Sequence, residues 1–343
     1  MNGADQRRRR RLIVALAAGT PLLLVAGLAA GADGWSMVDL WRLLGGAEGG
    51  LIVGQIRAPR TLGAWLTGGL LGLAGALAQG LFRNPLADPY LLGSASGASL
   101  GVVLVLTGAA LGGTATAGVN GMATADVAAE IGIVAAAFVG ALLGVSLTLA
   151  LARGAQHTTR LLLAGVVVGV VLGALNELLA VAAPETLRAR QAFMLGSTGF
   201  LGWGSCAWLV LGLVVTLPLG WRLSRALDAL TLGTETAASL GISLARVRAA
   251  LVALMALATA LAVSQAGLIA FIGLLAPHVV RRLAPAPHGY TLLASAAVGA
   301  ALLLGADVLA RSAVAPQEVP VGVLTAVVGG GYLLWLLRRE AGA

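Results

Sequence analysis

Long apolar segments, each close to the length of a bilayer crossing, follow one another along most of the 343 residues. Crossing the roughly 30 Å hydrocarbon core takes about 20 apolar residues of α-helix. Backbone groups in lipid must be hydrogen-bonded within the protein, so only helices and closed barrels span a membrane. The segments lack the alternation of apolar and polar residues that barrel strands show. The sequence therefore predicts an all-α, polytopic membrane protein.

Charged residues, Pro and Gly clusters and turn signals divide the chain into about ten predicted spans. These are residues 12–31, 60–82, 91–112, 127–152, 160–182, 203–220, 245–266, 267–283, 291–313 and 320–337. A break near Gly267 is expected because one helix from Arg248 to Val280 would be about 50 Å long. The first span is expected to be retained, since its apolar run is longer than that of a secretory signal. A cleaved signal is the alternative.

The basic residues are unevenly distributed between the two ends of these spans. All 22 basic residues are arginines. With the N-terminus inside, 16 arginines would lie on the inner side and 6 on the outer side, namely Arg42, Arg57, Arg60, Arg188, Arg190 and Arg311. The positive-inside rule therefore predicts that both termini are cytoplasmic.

The same composition excludes several kinds of chemistry. Without lysine the chain has neither a P-loop nor a Schiff-base site. Cys206 is the single cysteine, so an internal disulfide is excluded, and no Cys/His cluster has the spacing of a metal site. The arginines that give the net charge of +8 lie between apolar runs and not on one basic face, which argues against a nucleic-acid partner. We therefore expect no catalytic residues, no cofactor and no metal.

Residues 231–248 form the most polar internal stretch, within the longest predicted cytoplasmic loop. Thr234 is a candidate N-cap and Gly241 a candidate C-cap, which predicts one or two short helices outside the lipid. A short amphipathic helix in this position is suited to docking a soluble partner.

Two predicted spans carry glycines at four-residue spacing. The rows are Gly93, Gly97 and Gly101, and Gly165, Gly169 and Gly173. Small residues at this spacing allow helix backbones to approach closely, so helix packing is the plainer interpretation. The alternative for the second row is a helix that lines a transport pathway.

Polar residues inside the spans are functional candidates because burying them in lipid is costly. Asn176 and Glu177 are adjacent, and Asp307 lies four residues before Arg311. Glu177 is about 26 Å along its helix from Arg160, which predicts a position near the outer mouth. It is either a residue of the rim or one of the pathway.

Four stretches of the chain resemble the FecCD-type permeases, the membrane subunits of type II ABC importers for iron-siderophores, haem and cobalamin. They are residues 57–101, 230–242, 267–283 and 319–339. The blocks "RNPLADP" (83–89) and "GLIAFIGLLAPH" (267–278) are the most specific. The resemblance covers nearly the whole chain and is weakest over residues 1–50.

This resemblance implies one permease domain over residues 1–343, with about ten helices, an inverted pseudo-repeat and the bacterial inner membrane as its location. The implied partners are a second copy of the chain, two ATP-binding cassette subunits inside and a substrate-binding protein outside. ATP hydrolysis would belong to the cassette subunits. The expected substrate is an iron chelate, either a siderophore or haem, with cobalamin as the alternative. An ion-coupled secondary transporter is the rival from another class.

The resemblance also implies roles for particular residues. Docking of the binding protein is expected at Arg57, Arg60 and Arg311, although arginines here could also simply anchor helix ends. Coupling to the ATPase is expected in residues 228–241, at Asp228, Leu232, Gly233, Thr234, Glu235, Ala238, Leu240 and Gly241. The pathway and its gate are expected at Gly165, Gly169, Leu172, Gly173 and Asn176.

Overall fold

The computed structural model describes residues 3–31, 34–35, 49–111, 123–152, 158–184, 187–314 and 316–341. Within these ranges the only strands are β1 (Ala30–Gly31) and β2 (Gly34–Trp35), which pair antiparallel. The rest of the regular structure is helical, so the predicted all-α class is confirmed. Arg42, one of the arginines predicted outside, lies beyond the described residues.

The helices of the described chain pack into one bundle. They are α1 (Gly3–Ala29), α2 (Ala58–Phe82), α3 (Ser94–Leu111), α4 (Ala123–Leu151), α5 (Thr158–Ala182), α6 (Leu187–Leu195), α7 (Trp203–Thr231), α8 (Thr234–Ser239), α9 (Leu244–Ala266), α10 (Ile272–Leu283), α11 (His288–Ser312) and α12 (Val321–Ala341). A helical turn at Gly49–Ile52 and a π-helical segment at Val53–Arg57 lead directly into α2.

Seven helices of the described chain are long and apolar enough to cross a membrane. They are Gly3–Ala29, Val53–Phe82, Ile131–Leu151, Thr158–Ala182, Trp203–Thr231, Leu244–Ala266 and His288–Ser312. Ser94–Gly108 and Val321–Leu336 are shorter apolar helices. The helices at seven of the ten predicted spans are therefore long enough to cross the hydrocarbon core.

The predicted eighth span, residues 267–283, differs from this pattern because its first five residues are not helical. Gly267 and Phe271 both have left-handed backbone angles, with φ of 69° and 68°. Only the 12 residues of α10 follow, about 18 Å of helix. The Leu268 N–H donates to Phe193 O at 3.0 Å, so this irregular backbone is satisfied inside the protein, as it must be at membrane depth.

The predicted sixth span, residues 203–220, ends too early. Helix α7 continues through Thr231 because Gly220, Ser224, Leu227 and Leu230 keep a buried stripe at helical spacing. Asp228 therefore lies on a transmembrane helix rather than in a loop.

Helix α2 is the centre of the bundle and is almost entirely buried between α7, α9, α10 and α11. Its glycines allow this crowding. A Cβ at Gly68 would lie 2.3 Å from Gly299 O, and one at Gly75 would lie 1.7 Å from Gly273 O. Backbones in such contact pack without a hydrophobic driving force between helices.

Gly75→Ala should therefore lower the thermal unfolding midpoint of the purified protein in detergent. The new methyl group forces α2 and α10 apart, and overpacking of this kind costs about 1–3 kcal/mol. Gly204→Ala is the matched control, because a Cβ at Gly204 meets nothing within 4 Å. Equal midpoints for the two variants would contradict the close packing of α2 on α10.

Candidate functional site

Asp307, near the C-terminal end of α11, accepts hydrogen bonds from three segments of the chain. Its donors are Arg60 Nε at 3.2 Å, Thr198 Oγ1 at 2.5 Å and Arg311 Nη2 at 2.6 Å. The carboxylate is completely buried. A buried charge is tolerated when it is paired and hydrogen-bonded in this way. Asp307 thus joins α2, the turn before α7 and α11 at one end of the bundle, which we call the Asp307 end.

Arg311 and Arg57 both bind the C-terminal end of α1. Arg311 Nη1 donates to Gly27 O at 2.9 Å and to Ala30 O at 3.0 Å. Arg57 Nη1 donates to Leu28 O at 3.4 Å and to Ala29 O at 3.5 Å. The last carbonyls of a helix have no partner within the helix, and guanidinium groups satisfy them here.

The expectation that Arg311 contacts a binding protein does not fit this geometry. Its side chain is 1% exposed, and its guanidinium group is occupied by Asp307 and by the α1 carbonyls. Arg311 therefore organises the Asp307 end from inside.

Arg60 also reaches the surface of the Asp307 end. Its Nη1 atom lies 2.9 Å from the carboxylate of Glu318, whose side chain is 34% exposed, while the Arg60 side chain is 11% exposed. Sequence reasoning missed Glu318 and Thr198. Both lie in turns far from Arg60 along the chain, so no periodic pattern could connect them.

Glu177 lies on the exposed side of α5. Its side chain is 70% exposed and forms an ion pair through both carboxylate oxygens with Arg190 of α6. Both positions expected for Glu177, on the rim or along the pathway, fit this exposure, since Glu177 follows Gly173 by four residues on the same side of α5. Within the described residues, no three His, Cys, Asp or Glu side chains lie together where they could hold a metal ion.

The predicted pathway residues divide between two faces of α5. Leu172 and Asn176 are buried, and Asn176 Nδ2 donates to Ser96 O of α3 at 3.2 Å. Gly165 is also buried, because a Cβ there would lie 2.0 Å from Leu91 O. These three residues are buried within the chain, and their assignment to the pathway or gate stays a prediction.

Gly169 and Gly173 are only partly buried. A Cβ at Gly173 would meet nothing within 4 Å, so the glycine row does not serve packing along its whole length. The exposed face of α5 is mostly apolar and, besides Glu177, carries Leu163, Val166, Val167, Val170, Val171 and Leu178.

Helix α8 projects from the opposite end of the bundle, which we call the α8 end. Ala237 is its one buried residue, whereas Glu235 and Ala238 are exposed. Leu232 before the helix is 66% exposed and Leu240 after it is 62% exposed. The segment therefore presents a largely unpacked surface with two apolar side chains.

The ends of α8 are set by glycines. Gly233, with φ of 112°, is the N-cap, so Thr234 is the first helical residue and the predicted N-cap at Thr234 is wrong. Gly241 has φ of 79°, and its N–H donates to Ala238 O while the Ile242 N–H donates to Ala237 O. This is a Schellman motif, and it gives Gly241 the helix-ending role expected of it.

The last turn of α7, which contains Asp228 and leads into α8, is hydrogen-bonded to the start of α11. We call this turn the stem of α8. Asp228 Oδ1 accepts the backbone N–H of His288 at 2.9 Å and lies 2.7 Å from His288 Nδ1. Asp228 therefore caps α11, the same 25-residue helix that carries Asp307 near its other end. One helix, about 37 Å long, connects the two candidate sites.

The "RNPLADP" block forms a compact turn beside this stem. Arg83 ends α2 in a left-handed conformation, with φ of 49°. The Leu86 N–H donates to Asn84 Oδ1 at 2.9 Å, and the Tyr90 N–H donates to Asp88 Oδ1 at 2.8 Å. Burial raises the pKa of Asp88 to about 6, against the opposing effect of the Tyr90 N–H. The block therefore fixes the connection between α2 and α3.

The comparison with known proteins covers almost the whole chain. The model of the FecCD transport family matches residues 19–339. The chain belongs to the FecCD transport family. The vitamin B12 import system permease protein BtuC of Klebsiella pneumoniae is 36% identical over 346 residues, which cover 98% of this chain and 96% of BtuC. The hemin transport system permease protein HmuU of Yersinia pestis is 38% identical over 288 residues, which cover 83% of each chain.

A solved structure also shares the fold of this FecCD chain. It is described as an inward-facing conformation of a putative metal-chelate type ABC transporter. The TM-score is 0.79 at 25% sequence identity, over 96% of this chain and 99% of the other. The resemblance read from the four sequence blocks is thereby confirmed, and the FecCD chain is a multi-pass membrane permease.

Asp307→Asn should destabilise the FecCD chain by about 3 kcal/mol or more, because the change leaves the buried Arg311 guanidinium without its carboxylate partner and Arg60 with Glu318 alone. Thermal unfolding in detergent measures the effect. Glu177→Gln is the control, since that ion pair is exposed and should contribute little. Asp307→Asn with a wild-type midpoint would show that the network does not hold the Asp307 end together.

Proposed function

We propose that this chain is the permease subunit of an ATP-driven importer in the bacterial inner membrane, with both termini cytoplasmic. The α8 end then faces the cytoplasm and the Asp307 end faces outward. The family match and the ABC transporter of the same fold support this proposal. The arginine distribution supports the orientation.

The observation that carries the proposal is the exposed α8 segment on its braced stem. Leu232 and Leu240 are exposed at a place where the chain itself offers no partner surface. Asp228 connects the segment to α11, so force applied to α8 reaches a transmembrane helix directly. We propose that an ATP-binding cassette subunit covers residues 228–241 and hydrolyses ATP for the transporter, two such subunits serving two permease copies.

At the Asp307 end we propose docking of a substrate-binding protein on Arg57 and Arg60. The ion pair with Glu318 supports this role for Arg60, since its guanidinium group already accepts a carboxylate at the surface. Guanidinium groups bind carboxylates with two parallel hydrogen bonds. A carboxylate of the binding protein would replace Glu318 on Arg60.

For the substrate we propose a metal chelate, with an iron siderophore or haem as the first candidate and cobalamin as the second. HmuU is a hemin permease and BtuC a vitamin B12 permease, and both substrates are large metal-bearing macrocycles. We further propose that the pathway runs between two copies of the chain. The exposed apolar face of α5, with Gly169 and Gly173, is suited to line it, since conduction requires weak binding.

The rival function, ion-coupled secondary transport, receives no support from Asp307 or Glu177. Such transporters coordinate the coupling ion near the midplane with groups that are free to bind it. Asp307 is saturated by Arg60, Thr198 and Arg311, and Glu177 is paired with Arg190.

The coupling proposal predicts that Leu240→Asp reduces ATP hydrolysis stimulated by the binding protein to less than about a tenth of the wild-type rate. A charge in an apolar contact of the ATPase interface is desolvated without a partner. The assay uses liposomes that hold the permease with its co-expressed cassette subunit, with and without the binding protein. Leu283→Asp is the control, because Leu283 is also exposed but lies outside the α8 segment. If no cassette subunit co-purifies and uptake follows an imposed proton or sodium gradient, the proposed function is wrong.

The docking proposal predicts that Arg60→Gln weakens binding of the substrate-binding protein by at least about tenfold, since a charged hydrogen-bond pair contributes roughly 1.5–3 kcal/mol. Binding to the permease in nanodiscs is measured by biolayer interferometry. Arg190→Gln serves as the control, because Arg190 pairs with Glu177 and has no docking role. Unchanged affinity for a folded Arg60→Gln protein would exclude Arg60 from the docking surface.

A further inference from the structure

Five consecutive arginines, Arg7 to Arg11, lie near the start of α1, and they face two different ways. Arg9 faces the bundle. Its Nε and Nη2 atoms donate to Pro285 O at 3.1 and 2.8 Å, its carbonyl accepts from the Tyr290 hydroxyl at 3.2 Å, and its guanidinium group lies over the Tyr290 ring. Leu12 and Leu16 continue this packed face at helical spacing.

Arg7, Arg10 and Arg11 lie on the opposite face of α1. At 100° per residue they centre about 180° from the packed stripe. All three are exposed, and within the described part of the chain they form no hydrogen bond or ion pair. With Val14 and Ala15 they line a shallow cavity on the surface of α1, formed by this helix alone and open on its outer side.

The chemistry of this cavity is one-sided. Its lining contains three guanidinium groups and no carboxylate. Asp5, the acidic residue of α1, is four residues before Arg9 and so lies on the packed face instead. Uncompensated arginines this close together repel one another unless an anion sits between them. Arginine binds phosphate through two parallel hydrogen bonds.

The depth of the cavity relative to the bilayer follows from helix length. Leu12 to Ala29 are apolar and span about 26 Å, close to the thickness of the hydrocarbon core. Arg11 and the residues before it therefore lie at the level of the lipid headgroups. Val14, which is 58% exposed, lies one turn deeper, where an acyl chain begins.

We propose that Arg7, Arg10 and Arg11 bind the phosphodiester headgroup of an anionic phospholipid, with Val14 and Ala15 against its first methylene groups. The site lies on the lipid-facing side of α1 and next to the 284–288 connection that Arg9 holds. A bound lipid therefore fixes the end of α1 that braces the start of α11. The proposal does not depend on the transported substrate or on ATP coupling.

Native mass spectrometry of the purified full chain in a neutral detergent tests the site, with phosphatidylglycerol and phosphatidylcholine added at equal concentration. The wild-type chain should retain phosphatidylglycerol at least about tenfold more than phosphatidylcholine, given that each arginine at an anionic surface contributes about a fivefold preference. The triple variant Arg7→Gln, Arg10→Gln, Arg11→Gln should lose this preference. Arg222→Gln, Arg225→Gln, Arg246→Gln is the charge-matched control, built from exposed arginines near the α8 end that do not line this cavity, and should keep most of the preference.

Removing three arginines at once also removes a topology signal, so two further variants protect the test from misinsertion. The single variant Arg10→Gln should weaken the preference severalfold. The triple Arg→Lys variant retains the charges and should retain most of the preference.

Three outcomes would overturn the proposal. One is an equal phosphatidylglycerol preference in the wild type and in the Gln triple variant. Another is complete displacement of the lipid by millimolar glycerol 3-phosphate, which would assign the cavity to a soluble phosphate. The third is a Gln triple variant that keeps its lipid preference but no longer retains the cassette subunit, which would make this face a protein-docking surface.

Discussion

A hydrocarbon solvent offers no hydrogen bonds, and the architecture of this chain depends on that constraint. Every charge and irregular backbone group within the bundle must find its partner in the protein. At one end of the bundle Asp307 meets this requirement, because it accepts hydrogen bonds from Arg60, Arg311 and Thr198. Removing any member would leave the others charged or unsatisfied in a medium of low dielectric. The network therefore holds α1, α2 and α11 in one arrangement without relying on apolar contacts, which lipid tails could equally well provide.

The two candidate sites are mechanically connected because they share α11. Asp228 accepts a hydrogen bond from His288, the first residue of that helix, and Asp307 lies in its last turns. Gly299 keeps α11 in backbone contact with the central helix α2 between those points. Small motions of such a helix cannot be absorbed by loosely packed side chains, since backbone lies against backbone. Displacement at either end must shift the helix pair as a unit, which is the property that an alternating-access transporter needs.

The long apolar segments predicted the all-α membrane fold, and four sequence blocks predicted the family. These features are local or averaged over long stretches, and so a single sequence carries them. The side of a helix that faces protein, lipid or a partner could not be predicted in the same way. Asn176 donates to Ser96 O of α3, and Leu172 is buried as well. In an apolar helix no amphipathic stripe distinguishes the face that packs on protein from the faces that meet lipid or a partner, so the sequence could not show this. Glu318 became visible as a partner of Arg60 only in three dimensions, as their 258-residue separation implies.

The non-helical entry to α10 connects two segments that lie far apart in the chain. A transmembrane helix satisfies its own backbone and can enter the bilayer alone, but residues 267–271 cannot. The Leu268 N–H depends on Phe193 O, and the Ser197 N–H depends on Ala266 O. These bonds join segments about 70 residues apart in the chain. Residues 267–271 are therefore satisfied at membrane depth only when the turn after α6 is packed against them, and the two halves of the bundle depend on each other for the backbone bonds that lipid cannot supply.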